Sequence, residues 1–267
     1  MKNPLKNSKF QDLIIFILLS AAGILFSFTF KDSFIGKALI SGSIYGLLPA
    51  LYLWIRDHHG KNLKKILLAM FIFGVLFMFI FDFNAELTKS WTLKSLVFQG
   101  KILGIEPIDS LIGYGVMVFV TLTFYFHFLN PHNNTLISKK VILGFCIPVL
   151  IIAALIIVYY SSPGFLLNFA YPYFYMGLVA IAFPVVFLIF NPRFLAAICV
   201  IMVFFVFYWL VIELTAVKLG WWVYLGNNYI GRVTLLNLNF PIEELLFWIF
   251  LFSPALVCYY EFFINKK

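Results

Sequence analysis

Charge is scarce in this sequence: Asp, Glu, Lys and Arg together make up 11% of its 267 residues, where soluble domains carry roughly 25%. Too little polar surface remains to cover a water-facing exterior, which excludes a soluble globular protein. Cysteine is almost missing, and Cys146, Cys199 and Cys258 all fall inside apolar runs with no CxxC pair. That excludes a disulfide framework and a structural zinc site and leaves the three as small buried apolar residues. Histidine is as rare: His58 and His59 lie in a basic loop, His127 and His132 at the end of an apolar run. None accompanies the acidic motifs described below, which excludes HExxH metal chemistry and disfavours His-dependent nucleophilic catalysis there. No GxGxxG or phosphate-loop pattern is present either, so neither a cofactor nor a metal is expected. The net charge of +8 is spread over short loops instead of one face, so no nucleic-acid partner is expected.

What is abundant is apolar surface. Hydrophobic residues make up 63% of the chain, with 34 Phe, and the mean hydropathy is +1.01. A bilayer core of about 30 Å takes about 20 apolar residues per helix. Such runs fall at 12–30, 37–55, 64–82, 108–129, 141–160, 171–190, 194–217 and 242–263. In lipid an open segment can satisfy its backbone only as a helix, so the expectation is an all-α polytopic membrane protein of about eight transmembrane helices. The first run follows Lys2, Lys6 and Lys9 and continues past Ser20-Ala21-Ala22 to Phe30, which suits an uncleaved anchor. Twelve of the nineteen basic residues fall on the side of the termini, and seven (Lys31, Lys37, Lys89, Lys94, Lys101, Lys218, Arg232) on the other. The positive-inside rule then puts both termini of a multi-pass cell-membrane protein in the cytoplasm.

The two longest loops, 83–107 and 218–241, share the outer side and the same frame. Asp82 ends one span, Trp91 follows nine residues later, and Pro107-Ile108-Asp109-Ser110 opens the next span. Glu213 ends another, Trp222 follows nine residues later, and Pro241-Ile242-Glu243-Glu244 opens the last. The interval from Asp82 to Glu213 matches that from Pro107 to Pro241 once a single three-residue loop insertion is allowed. This pattern predicts two tandem units, a divergent first repeat over 1–130 and a second over 141–267, joined by a cytoplasmic linker at 131–140. Four helices per unit relate them by an axis along the membrane normal, so their acid motifs meet on one face. The Gly42-Ser-Ile-Tyr-Gly46 pattern reads as helix packing.

Seven of the eleven acidic residues, Asp82, Glu86, Glu106, Asp109, Glu213, Glu243 and Glu244, lie at the outer ends of four spans. An ionisable group within a span costs about 2.5–3.5 kcal/mol and marks a functional site. Proline followed by acids also suits a plain helix start, worth about 0.3–1 kcal/mol per acid, too little to offset that cost. Glu86 and Glu106 read as ordinary loop residues. A carboxyl at the edge of an apolar bundle resists ionisation and can act as an acid near neutral pH. Adjacent Glu243 and Glu244 point about 100° apart on a helix, so one can face the interior and the other the loops. Trp91, Trp221, Trp222, Tyr224, Phe240, Phe247 and Trp248 lie close to the acids in sequence. They serve either as an interfacial belt or as ring faces for a cation.

The stretch from Glu213-Leu-Thr-Ala-Val-Lys-Leu-Gly220-Trp221-Trp222 through Tyr229-Ile-Gly231 to Phe240-Pro241-Ile-Glu243-Glu244-Leu-Leu-Phe-Trp248 resembles the lycopene cyclase domain of the small, duplicated membrane carotenoid cyclases. That family occurs in fungi, archaea and some bacteria, as fused or heterodimeric halves. The resemblance covers 171–263 well and 37–129 weakly. Two departures stand out: position 213 is Glu where the family usually has Asp, and Asp109-Ser110 stands where two acids would. The resemblance implies a redox-neutral isomerisation of a linear carotenoid. An acid, Glu243 or Glu244, protonates the terminal alkene, the internal double bond closes a six-membered ring, and a base removes a proton. Asp82, Asp109 or Glu213 serves as base or supports the acid, and Trp91, Trp221, Trp222, Tyr224, Pro241, Phe247 and Trp248 contact the substrate, which arrives from within the bilayer. Membrane lipid is expected as surroundings and a homo-oligomer or carotenoid-pathway enzymes as partners, and the short chain without a targeting peptide suits a prokaryotic plasma membrane.

Three other readings compete. Glutamate-type intramembrane proteases need Glu-Glu-x-x-x-Arg, and position 248 is Trp. A membrane prenyltransferase needs Asp-rich pairs for Mg²⁺-diphosphate, for which Asp82-Phe-Asn-Ala-Glu86 is too slight. A carotenoid-binding or proton-coupled transport protein would use the same duplicated helices and acids, and mid-span breaks beside the acids would favour it. Pro148, Pro184 and Pro254 are the candidate breaks, and Pro254 alone shares a helix with Glu243 and Glu244.

Overall fold

Each long apolar run becomes a helix. The computed structural model describes residues 4–56, 62–129 and 136–265, with only the backbone for 4–7. The expectations placed on Lys2, His58, His59, Lys61, His132, Lys266, Lys267 and 131–135 of the linker lie outside the described residues, as does the side chain of Lys6. Seven described helices are long and apolar enough to cross a membrane: α1 (Ser8–Thr29), α2 (Ala38–Arg56), α3 (Leu63–Leu87), α4 (Ile108–Phe128), α5 (Val141–Ser161), α6 (Pro172–Phe190) and α7 (Pro192–Leu219). An eighth span, α8, is a bent pair, Glu244–Phe250 followed by Phe252–Phe263, at 48°. The protein is an all-α polytopic membrane protein.

The expected spans match these helices to within a few residues, with two instructive differences. Helix α3 runs on to Leu87, so Asp82 and Glu86 lie within it, and Glu86 is not a loop residue. The second difference is the break in α8. Glu244–Phe250 is wound as a π-helix and Leu251 interrupts it; Pro254 has no N–H for the carbonyl of Phe250, and its ring crowds that turn.

Helices cross closely where glycines face each other. A Cβ on Gly74 of α3 would sit 2.8 Å from the Cα of Gly115 on α4, so these two backbones touch. Polar side chains join helices in the interior: Ser253 of α8 bonds Thr121 of α4 at 2.9 Å and accepts Trp209 Nε1–H of α7 at 2.8 Å. Cys258 is buried, whereas Cys146 and Cys199 lie on the outer face. The expectation that all three are buried thus fails for two, because lipid accepts an apolar residue as readily as the core does.

The described ends of the chain, near Ser8 and Asn265, share one face of the bundle. There Asp12 of α1 accepts from Tyr52 at 2.6 Å and meets Arg56 at 3.3 Å and His127 at 3.2 Å. Nearby, Lys65 donates to Asn265 at 2.8 Å and Tyr125 to Glu261 at 3.0 Å. The opposite face carries the two long loops, which form a roof. Strand β1 (Thr92–Leu93) pairs antiparallel with β4 (Trp222–Val223), Thr92 opposite Val223 and Leu93 opposite Trp222. Hairpins β2 (Lys101–Ile102) with β3 (Glu106–Pro107), and β5 (Arg232–Leu235) with β6 (Leu238–Pro241), complete it. The loops are stitched together: Lys94 and Ser95 N–H donate to the Trp221 carbonyl at 2.7 and 3.0 Å, Gly226 N–H to Lys89 O at 2.8 Å, and Tyr229 Oη to Ser90 O at 2.7 Å.

Candidate functional site

All seven acids grouped at the outer helix ends are buried, and they differ in what their oxygens meet. Asp109, in the first turn of α4, accepts the backbone N–H groups of Val97 at 2.6 Å and Phe98 at 2.9 Å. Glu243, at the start of α8, accepts that of Ile230 at 2.6 Å. These two carboxyls, each second after the proline of its own half, hold each loop down on the helix it feeds. Glu86 does the same for Leu93 N–H at 2.8 Å and pairs with Lys101 at 3.5 Å.

Glu213 and Glu244 instead face a cavity of about 150 Å³ beneath the roof, enclosed by α2, α4, α6, α7 and α8. Glu213 accepts Tyr224 Oη–H at 2.8 Å and the Trp222 indole N–H at 3.2–3.3 Å. Glu244 accepts the hydroxyl of Tyr173, which opens α6. Burial, and then the Glu213 carboxyl, pushes the Tyr224 hydroxyl up, so it stays a donor. Five of the six tryptophans, Trp91, Trp209, Trp221, Trp222 and Trp248, wall the cavity. Trp91 and Trp222 lie 5.9 Å apart, and Trp248 stacks on Tyr173 at 6.1 Å.

A further carboxyl pair lies behind Tyr114. Tyr114 lines the cavity and donates to Asp82 at 3.2 Å, while Ser110 donates to Glu106 at 2.9 Å. The Asp82 and Glu106 carboxyls are close enough to bias each other's ionisation. Burial, and then the adjacent Asp82, pushes Glu106 well above the usual carboxylate range, so the pair keeps a proton that exposed carboxyls would lose. Reading Glu106 as an ordinary loop residue is therefore corrected: it is fully buried, because the β2–β3 hairpin folds it back onto α3. No local pattern marked Glu106, which lies in β3 ahead of α4, and none marked Tyr173.

Of the other residues singled out from the sequence, Asp109 also borders the cavity. Tyr224 stands behind Glu213 and Pro241 pairs with Arg232 in the β5–β6 hairpin. Phe247 faces Gly177 and a second, apolar space of about 50 Å³ on the far side of Trp248. In Gly42-x-x-x-Gly46 only Gly46 packs, against Val116 and Val120 of α4; a Cβ on Gly42 would meet nothing within 4 Å. Among the described residues no group of three His, Cys, Asp or Glu gathers as metal ligands. Two carboxyls sharing an apolar, aromatic-walled space can give and take a proton away from bulk water, and the ring faces attract a transient cation. The chain matches no protein-family model, no curated protein and no solved structure.

Proposed function

We propose that this protein is a carotenoid end-group cyclase of the lycopene β-cyclase type, closing a ring by proton transfer within the membrane. The observation that carries the reading is the convergence of Glu213 and Glu244 on one apolar cavity walled by tryptophans. Glu244 gives its proton to the terminal alkene: a C–H bond forms, the π bond opens and a tertiary cation results. The internal double bond supplies its electron pair to the new ring C–C bond, and the cation passes to the ring. Glu213 removes a neighbouring ring proton, whose bonding pair restores a double bond. The product is an isomer, with no electron gained or lost, and passage of the proton from Glu213 back to Glu244 resets the site. Tyr173 supports the Glu244 carboxylate left after the first step, and the tryptophan faces shield the cation. Asp82, which accepts from Tyr114, and the neighbouring Glu106 serve as a supporting pair. The charge distribution puts both termini in the cytoplasm and the site toward the outer leaflet.

One observation favours a second reading, a carotenoid-binding or proton-coupled transport protein: α8 is broken at Leu251, two turns beyond Glu244. Chromatography of pigments from a lycopene-accumulating bacterium expressing the chain separates the two. Cyclic carotenoids that disappear in Glu244→Gln are expected. Linear lycopene alone, with well-expressed wild type, would overturn cyclisation of lycopene by this chain and favour the second reading.

A further inference from the structure

The cavity beside Glu244 is too small for the whole of a linear carotenoid. A space of about 150 Å³ takes a benzene-sized ring in another protein's engineered core, and the cavity here has that volume. It therefore fits an end group, and the remaining polyene must leave through a wall. The wall between α2 and α4 is the one in which bare glycine backbone lines the cavity. Leu39, Gly42 and Ser43 on α2 and Gly113 and Met117 on α4 line the cavity and are all partly exposed. A side chain built on Gly42 or Gly113 would meet nothing within 4 Å, whereas one turn deeper a Cβ on Gly46 would lie 3.1 Å from Val120 and close the seam. A larger lipid-facing groove lies between α1 and α7, along Ser20, Val203 and Tyr208. It does not offer a route inward, because Tyr45 stands between groove and cavity, buried and locked to Tyr208 by hydroxyl-to-carbonyl bonds in both directions.

We propose that Gly42 and Gly113 frame a lateral portal in the bilayer through which the end of a long apolar chain is inserted while the rest of the molecule stays in lipid. The bare glycines set the width of that portal, and the cavity takes one chain end at a time. The ligand class, a linear carotenoid, rests on the reading above; the portal's position does not.

The test uses Gly42→Leu and Gly113→Leu, at positions where an added Cβ meets nothing within 4 Å, with Ala154→Leu on the exposed face of α5 as control. Purified protein in nanodiscs is titrated with lycopene, reading quenching of the tryptophans, five of six of which wall the cavity, and product formation is measured in parallel. Saturable quenching in wild type and the control, weakened at least tenfold in both portal variants, supports the portal. Equal quenching in all four proteins, or none in wild type, overturns it. Portal-dependent quenching without cyclic product keeps the portal and overturns the cyclase reading.

Discussion

Trp91 and Trp222 lie ring beside ring, 5.9 Å between centroids, although they come from opposite halves of the chain. The residues that follow them, Thr92 and Val223, stand opposite each other in the strand pair, with Leu93 opposite Trp222. Thr92 and Val223, each following its tryptophan, are thus related by a local two-fold axis between the two loops. Asp109 and Glu243 hold equivalent loop amides, yet the cavity-side acids differ. The second half carries Glu244 at the cavity where the first has Ser110, and the first half's Glu106, four residues before Ser110, bonds Ser110.

Glu244→Gln is expected to lower cyclisation by about 10²–10⁴-fold, the worth of a general acid, with folding unchanged. Glu243 behaves oppositely. Glu243→Gln keeps an acceptor for Ile230 N–H and most of the activity. Glu243→Ala leaves that amide unpaired and costs about 1–3 kcal/mol of stability. Product yield and thermal unfolding in detergent, measured side by side, check both; loss of activity in Glu243→Gln with Glu244→Gln active would reverse the assignment.

Tyr173→Phe removes the donor to Glu244 without altering shape. A hydrogen bond to a charged group is worth roughly 1.5–3 kcal/mol, so turnover should fall about 10- to 100-fold while lycopene binding stays within a factor of about 3. Single-turnover rates and quenching titrations separate the two.

Glu106 retains in the folded protein a proton that the unfolded chain releases above about pH 4.3. The folded state therefore binds more protons at higher pH, and stability falls as pH rises from that value toward Glu106's raised pKa. The unfolding temperature should drop between pH 5 and pH 8.5. Glu106→Gln, which still accepts from Ser110, should flatten that slope. An unchanged slope in the variant would remove Glu106 as its source.

Ser253→Ala leaves the Trp209 indole N–H without its acceptor and breaks the link to Thr121. Interhelical hydrogen bonds in membrane proteins average about 0.6 kcal/mol, and the unpaired N–H adds to this, so a loss of about 1–2 kcal/mol is expected by steric trapping or detergent unfolding.

The helices and their approximate ends were legible because each apolar run is as long as a bilayer is thick, and because Pro107, Pro241 and the acids punctuate the helix starts. The gathering of Glu213, Glu244 and the tryptophans followed from the matched spacing of the two loops. Three things were not legible. Hydropathy does not distinguish a lipid-facing residue from a core residue, so Cys146 and Cys199 read like Cys258, and Gly42 read like Gly46. Glu106 looked like a loop acid because its burial depends on a hairpin folding back, a contact no local pattern encodes. Pro254 was visible as a breaker, but its effect depends on how far the π-wound turn above it could absorb the missing hydrogen bond.

The stitched roof has a consequence for how the site comes into being. Its strands come from both loops, with Lys94 and Ser95 of one held by the Trp221 carbonyl of the other, so neither half can enclose the cavity unaided. Closure of the site and recognition of one half by the other are one event. The single polypeptide then contributes chiefly local concentration: it keeps the second half near the first until the roof forms.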